Sequence, residues 1–200
     1  MAPEAVRKKR RPQRRDQILE AAVGLFHERG YHATGMDDIG AIAGITGPGI
    51  YRHFKNKEEI LETIIRQAGE AVLAEVDRIV ASDAGPEETL DALARSYVDS
   101  IVSDPHLAVV AMWERHTLGE ETRRWIDRQE RRNVEAWVAA VRRVRTELDE
   151  AEARLLVQAA LTLGVAVSNY KSGLDDASLV GLLHPMVMTA ILGPVPPPAG

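Results

Sequence analysis

The 200-residue sequence contains no cysteine, which excludes a disulfide framework and any chemistry based on a thiolate. A chain without cysteine fits a reducing compartment, and we expect a cytoplasmic protein. Aromatic residues make up only 4%, while Ala, Leu, Val, Arg and Glu are common, a composition that favours helices over sheets. Long hydrophobic runs are also missing. The longest apolar stretch, residues 159–168, is too short to span a bilayer, so we expect no membrane partner.

Residue patterns typical of enzymes are absent as well. The sequence has no recognisable pair of catalytic carboxylates, no Ser/His/Asp arrangement and no glycine-rich phosphate loop. A helical enzyme with an incidental basic end is therefore the disfavoured alternative. The histidines show no pair at metal-ligand spacing, so we expect neither a metal nor a cofactor. The six histidines are His27, His32, His53, His106, His116 and His184.

Acidic residues outnumber basic ones over the whole chain, but the basic residues are concentrated at one end. The net charge is −5, yet residues 1–57 contain eleven Lys or Arg and only six Asp or Glu. The remaining residues are correspondingly acidic. A basic end on an acidic body is expected when only that end contacts phosphates. The alternative for residues 7–15 is a disordered segment that only increases solubility.

The hydrophobic periodicity predicts an all-α chain of about nine helices with no strand. A first helix from residue 14 ends at Gly30, a glycine suited to a left-handed cap. Two short helices follow, over residues 36–43 and 45–54, joined by a turn at Gly44. Asn56 is expected to cap the next helix, with Glu59 reaching back to it. Two short amphipathic helices joined by a glycine turn are what a helix-turn-helix requires.

The sequence therefore predicts four segments. Residues 1–12 form a disordered basic arm, and residues 13–60 form a helix-turn-helix DNA-binding domain. Residues 61–193 form a helical ligand-binding and dimerisation domain, and the proline-rich residues 194–200 form a disordered tail.

Residues 14–61 resemble a known family almost continuously. The residues that carry the resemblance are Ile18-Leu19-Glu20-Ala21-Ala22, Leu25-Phe26, Gly30-Tyr31, Ala33-Thr34, Asp38-Ile39, Ala43-Gly44-Ile45-Thr46, Ile50-Tyr51-Arg52-His53-Phe54 and Asn56-Lys57-Glu58-Glu59-Ile60-Leu61. Together they are similar to the N-terminal DNA-binding domain of the TetR/AcrR regulators. The C-terminal part resembles that family only in its helical layout.

The resemblance implies a homodimeric regulator, usually a repressor, that pairs through its last two helices. Its second and third helices would read operator half-sites, and a small-molecule effector would release the DNA. By position, Tyr51 and Lys57 would contact phosphates, whereas Phe54 is assigned to the core. The full set of implied DNA-binding residues is Thr34, Gly35, Thr46, Gly47, Pro48, Gly49, Tyr51, Arg52, His53 and Lys57.

Three positions depart from the family pattern. Gly35 stands where Ser or Thr is usual, so an N-cap with its phosphate contact is either missing or taken over by Thr34. Pro48-Gly49 replaces the usual Gly-Thr and removes a hydroxyl from the third helix. Gly40 replaces Ala, which loosens a helix by roughly 1 kcal/mol. Base specificity therefore cannot be transferred from the family.

Polar residues on the apolar eighth helix are the candidates for effector binding. Gln158, Thr162 and Asn169 share one face, and they either line a cavity or form hydrogen bonds across a dimer. Plain core packing is the alternative for each of these three residues and for each of the other candidates. Those candidates for the same cavity are Tyr97, Met112, Trp113, His116 and Trp137. A protein without a cavity would be a DNA-binding dimer that senses no ligand.

Two further patterns bear on effector and dimer. Residues 123–132 are rich in arginine, and i,i+4 pairs such as Glu120–Arg124 and Asp127–Arg131 predict a solvated helix face. The alternative is a basic rim for an anionic effector such as an acyl-CoA. Without such a rim, we expect a hydrophobic effector. Gly164 and the small aliphatic residues of the last two helices favour close helix approach in a dimer.

Overall fold

The computed structural model describes residues 14–168, 170 and 172–194. The predicted basic arm, Asn169 and residues 195–200 of the predicted tail lie outside these residues. Within the described part, the chain forms nine α-helices, one short 3₁₀ helix and no strand, which confirms the all-α prediction. The helices are α1 (Arg14–Arg29), α2 (Met36–Ile42), α3 (Gly47–Ile50), α4 (Lys57–Val80), α5 (Pro86–Ser103), α6 (Pro105–Trp113), the 3₁₀ helix (Arg115–Thr117), α7 (Glu120–Val144), α8 (Glu150–Ser168) and α9 (Asp176–Leu192).

The chain divides into two compact units, Met1–Thr63 and Ile64–Gly200. The sequence places the domain boundary after residue 60, and the structural division falls after Thr63; both positions lie on α4.

The smaller unit contains α1 to α3 and the start of α4. Gly30 and Gly44 have φ angles of +80° and +66°, so both glycines adopt the left-handed conformation, as predicted for the cap at Gly30 and as the turn predicted at Gly44 also requires. The Gly30 N–H donates to the Phe26 carbonyl at 2.9 Å and closes α1. The unit's core consists of fully buried apolar side chains, which are Ile18, Ala22, Phe26, Ile39, Ile50, Phe54, Ile60 and Leu61.

The start of α4 confirms one predicted cap and corrects another. The side-chain oxygen of Asn56 accepts the Glu59 N–H at 2.8 Å, as expected for an N-cap. The Glu59 carboxylate, however, accepts from the Lys55 N–H at 2.7 Å rather than from Asn56. The Glu59 side chain therefore binds the N–H of the residue before Asn56. Main-chain N–H groups at the start of α4 still have side-chain acceptors, from Asn56 and from Glu59.

The larger unit is built around α5, α7, α8 and α9. α5 packs against α7 and α9, and α8 packs against the same two helices. The side chains buried between them include Leu90, Leu93, Val98, Trp137, Val141, Val157, Val187 and Ile191. At the end of α9, Arg145 donates to the carbonyls of Ile191 and Gly193 at 2.8 and 3.1 Å, so it satisfies acceptors that the helix terminus leaves unpaired.

α5 and α8 approach each other closely at one glycine. Gly164 is buried on α8, and a Cβ atom there would lie 2.6 Å from the Tyr97 ring and 2.8 Å from Ile101. The Tyr97 hydroxyl donates to the Leu161 carbonyl on the same helix. The close approach predicted for Gly164 therefore occurs within the chain, against α5, because its missing side chain faces the core and not the outer surface.

We expect Gly164→Ala to lower the free energy of unfolding by about 1–3 kcal/mol, the usual cost of forcing an extra carbon into a packed site. The matched control is Gly24→Ala on α1, where no neighbouring atom lies within 4 Å of the added Cβ atom. The control should gain up to about 1 kcal/mol from helix propensity. Urea unfolding followed by circular dichroism measures both, and equal stabilities would contradict the tight contact.

Candidate nucleic-acid interface and cavity

The α2–α3 pair has the geometry of a helix-turn-helix. α2 has seven residues and α3 has four, and the turn between them is closed by a hydrogen bond from the Ile45 N–H to the Gly40 carbonyl at 2.8 Å. Helical hydrogen bonds continue beyond α3, since the N–H groups of His53 and Phe54 donate to the Ile50 carbonyl at 2.9 and 3.1 Å. The second short segment therefore extends to Phe54, where its predicted end lies.

One side of this segment is buried and the other faces solvent. Ile50 is fully buried, and Phe54 is 1% exposed, which confirms its assignment to the core. Tyr51 is 54% exposed, so its hydroxyl is free to reach a ligand outside the fold. The other exposed residues of this predicted interface are Thr46, Pro48 and Arg52, while Gly49 and His53 are half-buried and Gly47 occupies the first position of α3.

Thr34 and Gly35 occupy the start of α2 with different roles. Thr34 is only 2% exposed, and its hydroxyl donates to the Gly30 and Leu25 carbonyls at 2.9 and 3.3 Å. Gly35 is the N-cap residue, and its N–H donates to the Asp38 carboxylate at 2.9 Å. The hydroxyl of Thr34 is therefore used inside the turn between α1 and α2 and does not replace the absent cap side chain.

Lys57, the first residue of α4, binds the same turn between α1 and α2. Its ammonium group donates to the carbonyls of Tyr31 at 2.5 Å, Thr34 at 2.6 Å and His32 at 3.5 Å. It also lies 4.3 Å from the centre of the Tyr31 ring, which adds a cation–π contact. An ammonium group has three N–H donors, and all three face main-chain carbonyls here. Lys57 therefore ties the α1–α2 turn to the first residue of α4.

Arg15 makes a comparable contact that the sequence did not reveal. Its guanidinium donates to the His53 carbonyl at 3.1 Å and lies 4.1 Å from the centre of the Phe54 ring. The end of the α3 segment is thus fastened to α1. In the sequence, Arg15 is one of several basic residues near the N-terminus, and no local pattern distinguishes it from its neighbours.

The larger unit contains a cavity of about 180 Å³ between α4, α5 and α7. Tyr97 and Trp137, two of the predicted effector residues, line it together, with their ring centres 6.1 Å apart and nearly perpendicular. Burial raises the pKa of Tyr97, so its hydroxyl stays protonated. The remaining lining residues are Ala71, Val72, Glu75, Val76, Leu93, Ser96, Ser100 and Asn133.

The other predicted effector residues do not line this cavity. Met112 and Trp113 are 43% and 64% exposed at the end of α6, and His116 is exposed on the 3₁₀ helix. Gln158 and Thr162 are exposed on α8, where the Thr162 hydroxyl donates to the Gln158 carbonyl at 2.7 Å. Of the two readings left open for this pair, lining this cavity is therefore not observed, because α8 turns that face away from the core.

Asn133 is a cavity residue that the sequence analysis missed. Its side-chain oxygen is buried and has no hydrogen-bond partner among the described residues. The sequence does indicate this residue, because Asn133 falls seven residues after Ile126 on the apolar stripe of α7. A polar residue on such a stripe either has a hydrogen-bond partner in the core or lines a cavity.

The arginine-rich part of α7 is only partly neutralised: of its five arginines, Arg124 and Arg132 form ion pairs among the described residues, Arg132 with Asp77 at 3.3 Å. Arg124 pairs with Glu120 as predicted. Asp127, however, binds Arg115 of the 3₁₀ helix at 2.5 Å instead of Arg131, because Arg115 also reaches Glu130 at 2.7 Å and joins both carboxylates. No arginine of the described residues lines the cavity.

An exposed apolar surface covers the outer side of α8 and α9. Leu155 is 71% exposed, Leu182 is 55% exposed and Met186 is 47% exposed, and small residues such as Ala159 and Ala166 lie on the same side of α8. We call this set the α8–α9 surface.

Neither a metal site nor a membrane span is found in the part of the chain that the structure describes. No three His, Asp or Glu side chains come together there as a metal ion would require. The described helices also include none with the length and apolar character needed to cross a bilayer.

Residues 18–64 match the family model described as bacterial regulatory proteins, tetR family. The repressor KstR2 of Mycobacterium tuberculosis is 32% identical over 126 residues, which cover 62% of this chain and 63% of the repressor. The activator FasR of Mycolicibacterium smegmatis is 33% identical over 94 residues, or 47% of this chain and 43% of the activator. The chain thus matches less than two thirds of the length of these relatives.

Solved structures extend the similarity to nearly the whole fold. KstR2 of Mycobacterium tuberculosis superposes with a TM-score of 0.80 at 23% identity, covering 92% of this chain and 96% of that one. AibR, solved with isovaleryl coenzyme A and operator DNA, gives 0.73 at 24% identity over 87% and 97% of the two chains. The fatty acid degradation regulator FadR of Bacillus halodurans gives 0.70 at 25% identity over 92% and 98%.

We expect Lys57→Met to lower the free energy of unfolding by about 1–3 kcal/mol, because it removes charge-assisted bonds to three carbonyls. Lys55→Met is the control, since the Lys55 side chain is exposed and the residue contributes only its main-chain N–H to a hydrogen bond. The control should stay within about 0.5 kcal/mol of the parent. Urea denaturation distinguishes the variants. A Lys57→Met protein as stable as the control would show that the bonds from Lys57 to the α1–α2 turn do not stabilise the fold.

Proposed function

We propose that the chain is a member of the TetR family of bacterial transcriptional regulators and acts as a homodimeric repressor that a small hydrophobic effector releases from operator DNA. The observation that carries the proposal is the exposed side of the α2–α3 pair. The second short helix is buried on one side and exposes Thr46, Tyr51 and Arg52 on the other. Insertion into a major groove requires such a helix.

Within this surface, we assign different tasks to the predicted DNA-binding residues. Tyr51 and Arg52 are exposed donors for phosphate oxygens or base edges, and Thr46 and Pro48 lie at the start of the same segment. Thr34 and Lys57 act mainly from within, by fixing the turn between α1 and α2. A phosphate contact of Lys57 would require the ammonium group to share its donors with the carbonyls that it binds.

The α8–α9 surface is our proposed dimer interface, with a second copy of this chain as its occupant. Exposed leucine and methionine side chains on two adjacent helices provide an apolar patch of the kind that a soluble protein covers. Gln158 and Thr162 lie on the exposed side of α8, which supports the alternative in which they form hydrogen bonds across the dimer. A dimer presents two α2–α3 pairs, and therefore binds two half-sites.

The cavity lined by Tyr97 and Trp137 is the proposed effector site. Its apolar walls support a hydrophobic ligand, and its presence favours a sensing regulator over a DNA-binding dimer that senses none. AibR, which shares the fold, was solved in complex with isovaleryl coenzyme A, so an acyl-CoA-like effector is the second candidate. No arginine among the described residues lines this cavity, which weakens the idea of a basic rim for such a ligand.

We expect Tyr51→Phe to weaken binding to every DNA sequence by about 3–10-fold, because a lost hydrogen bond to a phosphate is worth roughly 1 kcal/mol and carries no sequence information. Tyr170→Phe is the matched control, since Tyr170 is 71% exposed in the larger unit. Fluorescence anisotropy with labelled duplexes measures both variants. Identical affinities for parent and Tyr51→Phe would remove this assignment.

We expect the combined change Leu182→Glu and Met186→Glu to convert the dimer into monomers, since four carboxylates would be buried across the interface. Val80→Glu, at a 45% exposed valine of α4, is the control and should remain dimeric. Sedimentation equilibrium reports the mass directly. A parent protein that sediments as a monomer, or a double variant that remains dimeric, would rule out this interface.

A further inference from the structure

The lining of the effector cavity restricts the chemical class of its ligand. We propose, building on the proposed function, that the cavity between α4, α5 and α7 takes a small uncharged molecule with an apolar body and one polar group, and that it excludes free carboxylates. The inference rests on the cavity's size, its charge and the polar atoms around it.

Size limits the ligand to one ring or a short branched chain. The cavity has a volume of about 180 Å³, and an apolar protein cavity of roughly 150 Å³ is large enough for benzene. The inner walls come from Val76, Leu93 and Trp137, which are all at least 95% buried. Such walls favour an apolar body that fills the space without needing hydrogen bonds.

Charge excludes an anion. Glu75 is the only Asp, Glu, Lys, Arg or His among the residues that line the cavity in the described part of the chain. Its carboxylate binds the guanidinium of Arg78, with N–O distances of 2.8 and 2.5 Å, and this hydrogen bonding lowers the pKa of Glu75, so the group stays ionised. Because Arg78 is already used by Glu75 and no cation lines the cavity, a ligand carboxylate would lose water and find no partner for its own charge.

Polar atoms in the cavity lining can form hydrogen bonds with one polar group of the ligand. The hydroxyl of Tyr97 is occupied by the Leu161 carbonyl, and that of Ser100 by the Tyr97 carbonyl. Ser96 lines the cavity, and so does Asn133, whose buried side-chain oxygen has no hydrogen-bond partner among the described residues. A hydroxyl both donates and accepts, so Ser96 can bind an alcohol, a ketone or an amide, and each of these is neutral.

The test compares benzyl alcohol with benzoate, which share one ring and differ in charge. The ¹H–¹⁵N resonance of the Trp137 indole, inside the cavity, reports binding, and that of the exposed Trp113 is the internal control. At pH 7 we expect benzyl alcohol to shift the Trp137 signal in a saturable way, and benzoate to bind at least tenfold more weakly.

Two charge variants and one blocking variant locate the effect. Glu75→Lys should let benzoate bind at least tenfold better than to the parent while leaving benzyl alcohol within about twofold. Glu70→Lys, an exposed change on α4 that does not line the cavity, should change neither ligand. Ala71→Phe, at the partly open mouth, should abolish binding of benzyl alcohol. Because Ala71 is exposed and Glu75 is only half-buried, these variants leave the packed core intact.

The outcomes separate this inference from the proposed function. Equal binding of benzoate and benzyl alcohol to the parent, no saturable shift by benzyl alcohol, or a shift that persists in Ala71→Phe would overturn the ligand class. None of these results bears on whether the protein binds DNA, which is measured separately on the same sample. Conversely, a protein that selects benzyl alcohol but binds no DNA would uphold the ligand class and contradict the regulator.

Discussion

Burial of three apolar side chains is the constraint on which the helix-turn-helix depends. α2 and α3 contain seven and four residues, far fewer than the roughly 12–15 that a helix needs to persist alone in water. Ile39, Ile50 and Phe54 are buried to at least 99%, and each contributes about 1.5–3 kcal/mol by leaving water. Lys57 and Arg15 then fasten the two ends of the motif. With its inner side fixed in this way, the segment from Thr46 to Tyr51 has its outer side available.

The larger unit connects its cavity to α8 through one residue. Tyr97 lines the cavity with its ring and donates its hydroxyl to the Leu161 carbonyl, while Gly164 gives the ring room. The opposite side of α8 belongs to the proposed dimer interface, so a change in the position of Tyr97 would be passed to a helix of that proposed interface. A packed core transmits such shifts because it has few voids to absorb them.

Local patterns predicted what depends on local chemistry. Gly30 and Gly44 were identifiable because only glycine adopts positive φ without cost, and Asn56 because its side chain caps a helix from a fixed offset. The internal roles of Lys57 and Arg15 were not, since their partners are main-chain carbonyls 23 to 38 residues away. The place of Gln158 stayed open between a cavity and a dimer contact because α8 is apolar nearly all round, and the sequence does not show which apolar side faces solvent.

The most direct test of the central claim, that the outer side of α3 enters a DNA duplex, is selection of bound DNA from a random pool by the purified full chain. The account predicts enrichment of a palindromic site with half-sites one helical turn, about 34–36 Å, or a multiple of that apart. Footprinting on the selected site should show protection in successive major grooves. Failure to enrich any sequence, even at low salt where phosphate contacts are strongest, would contradict the account.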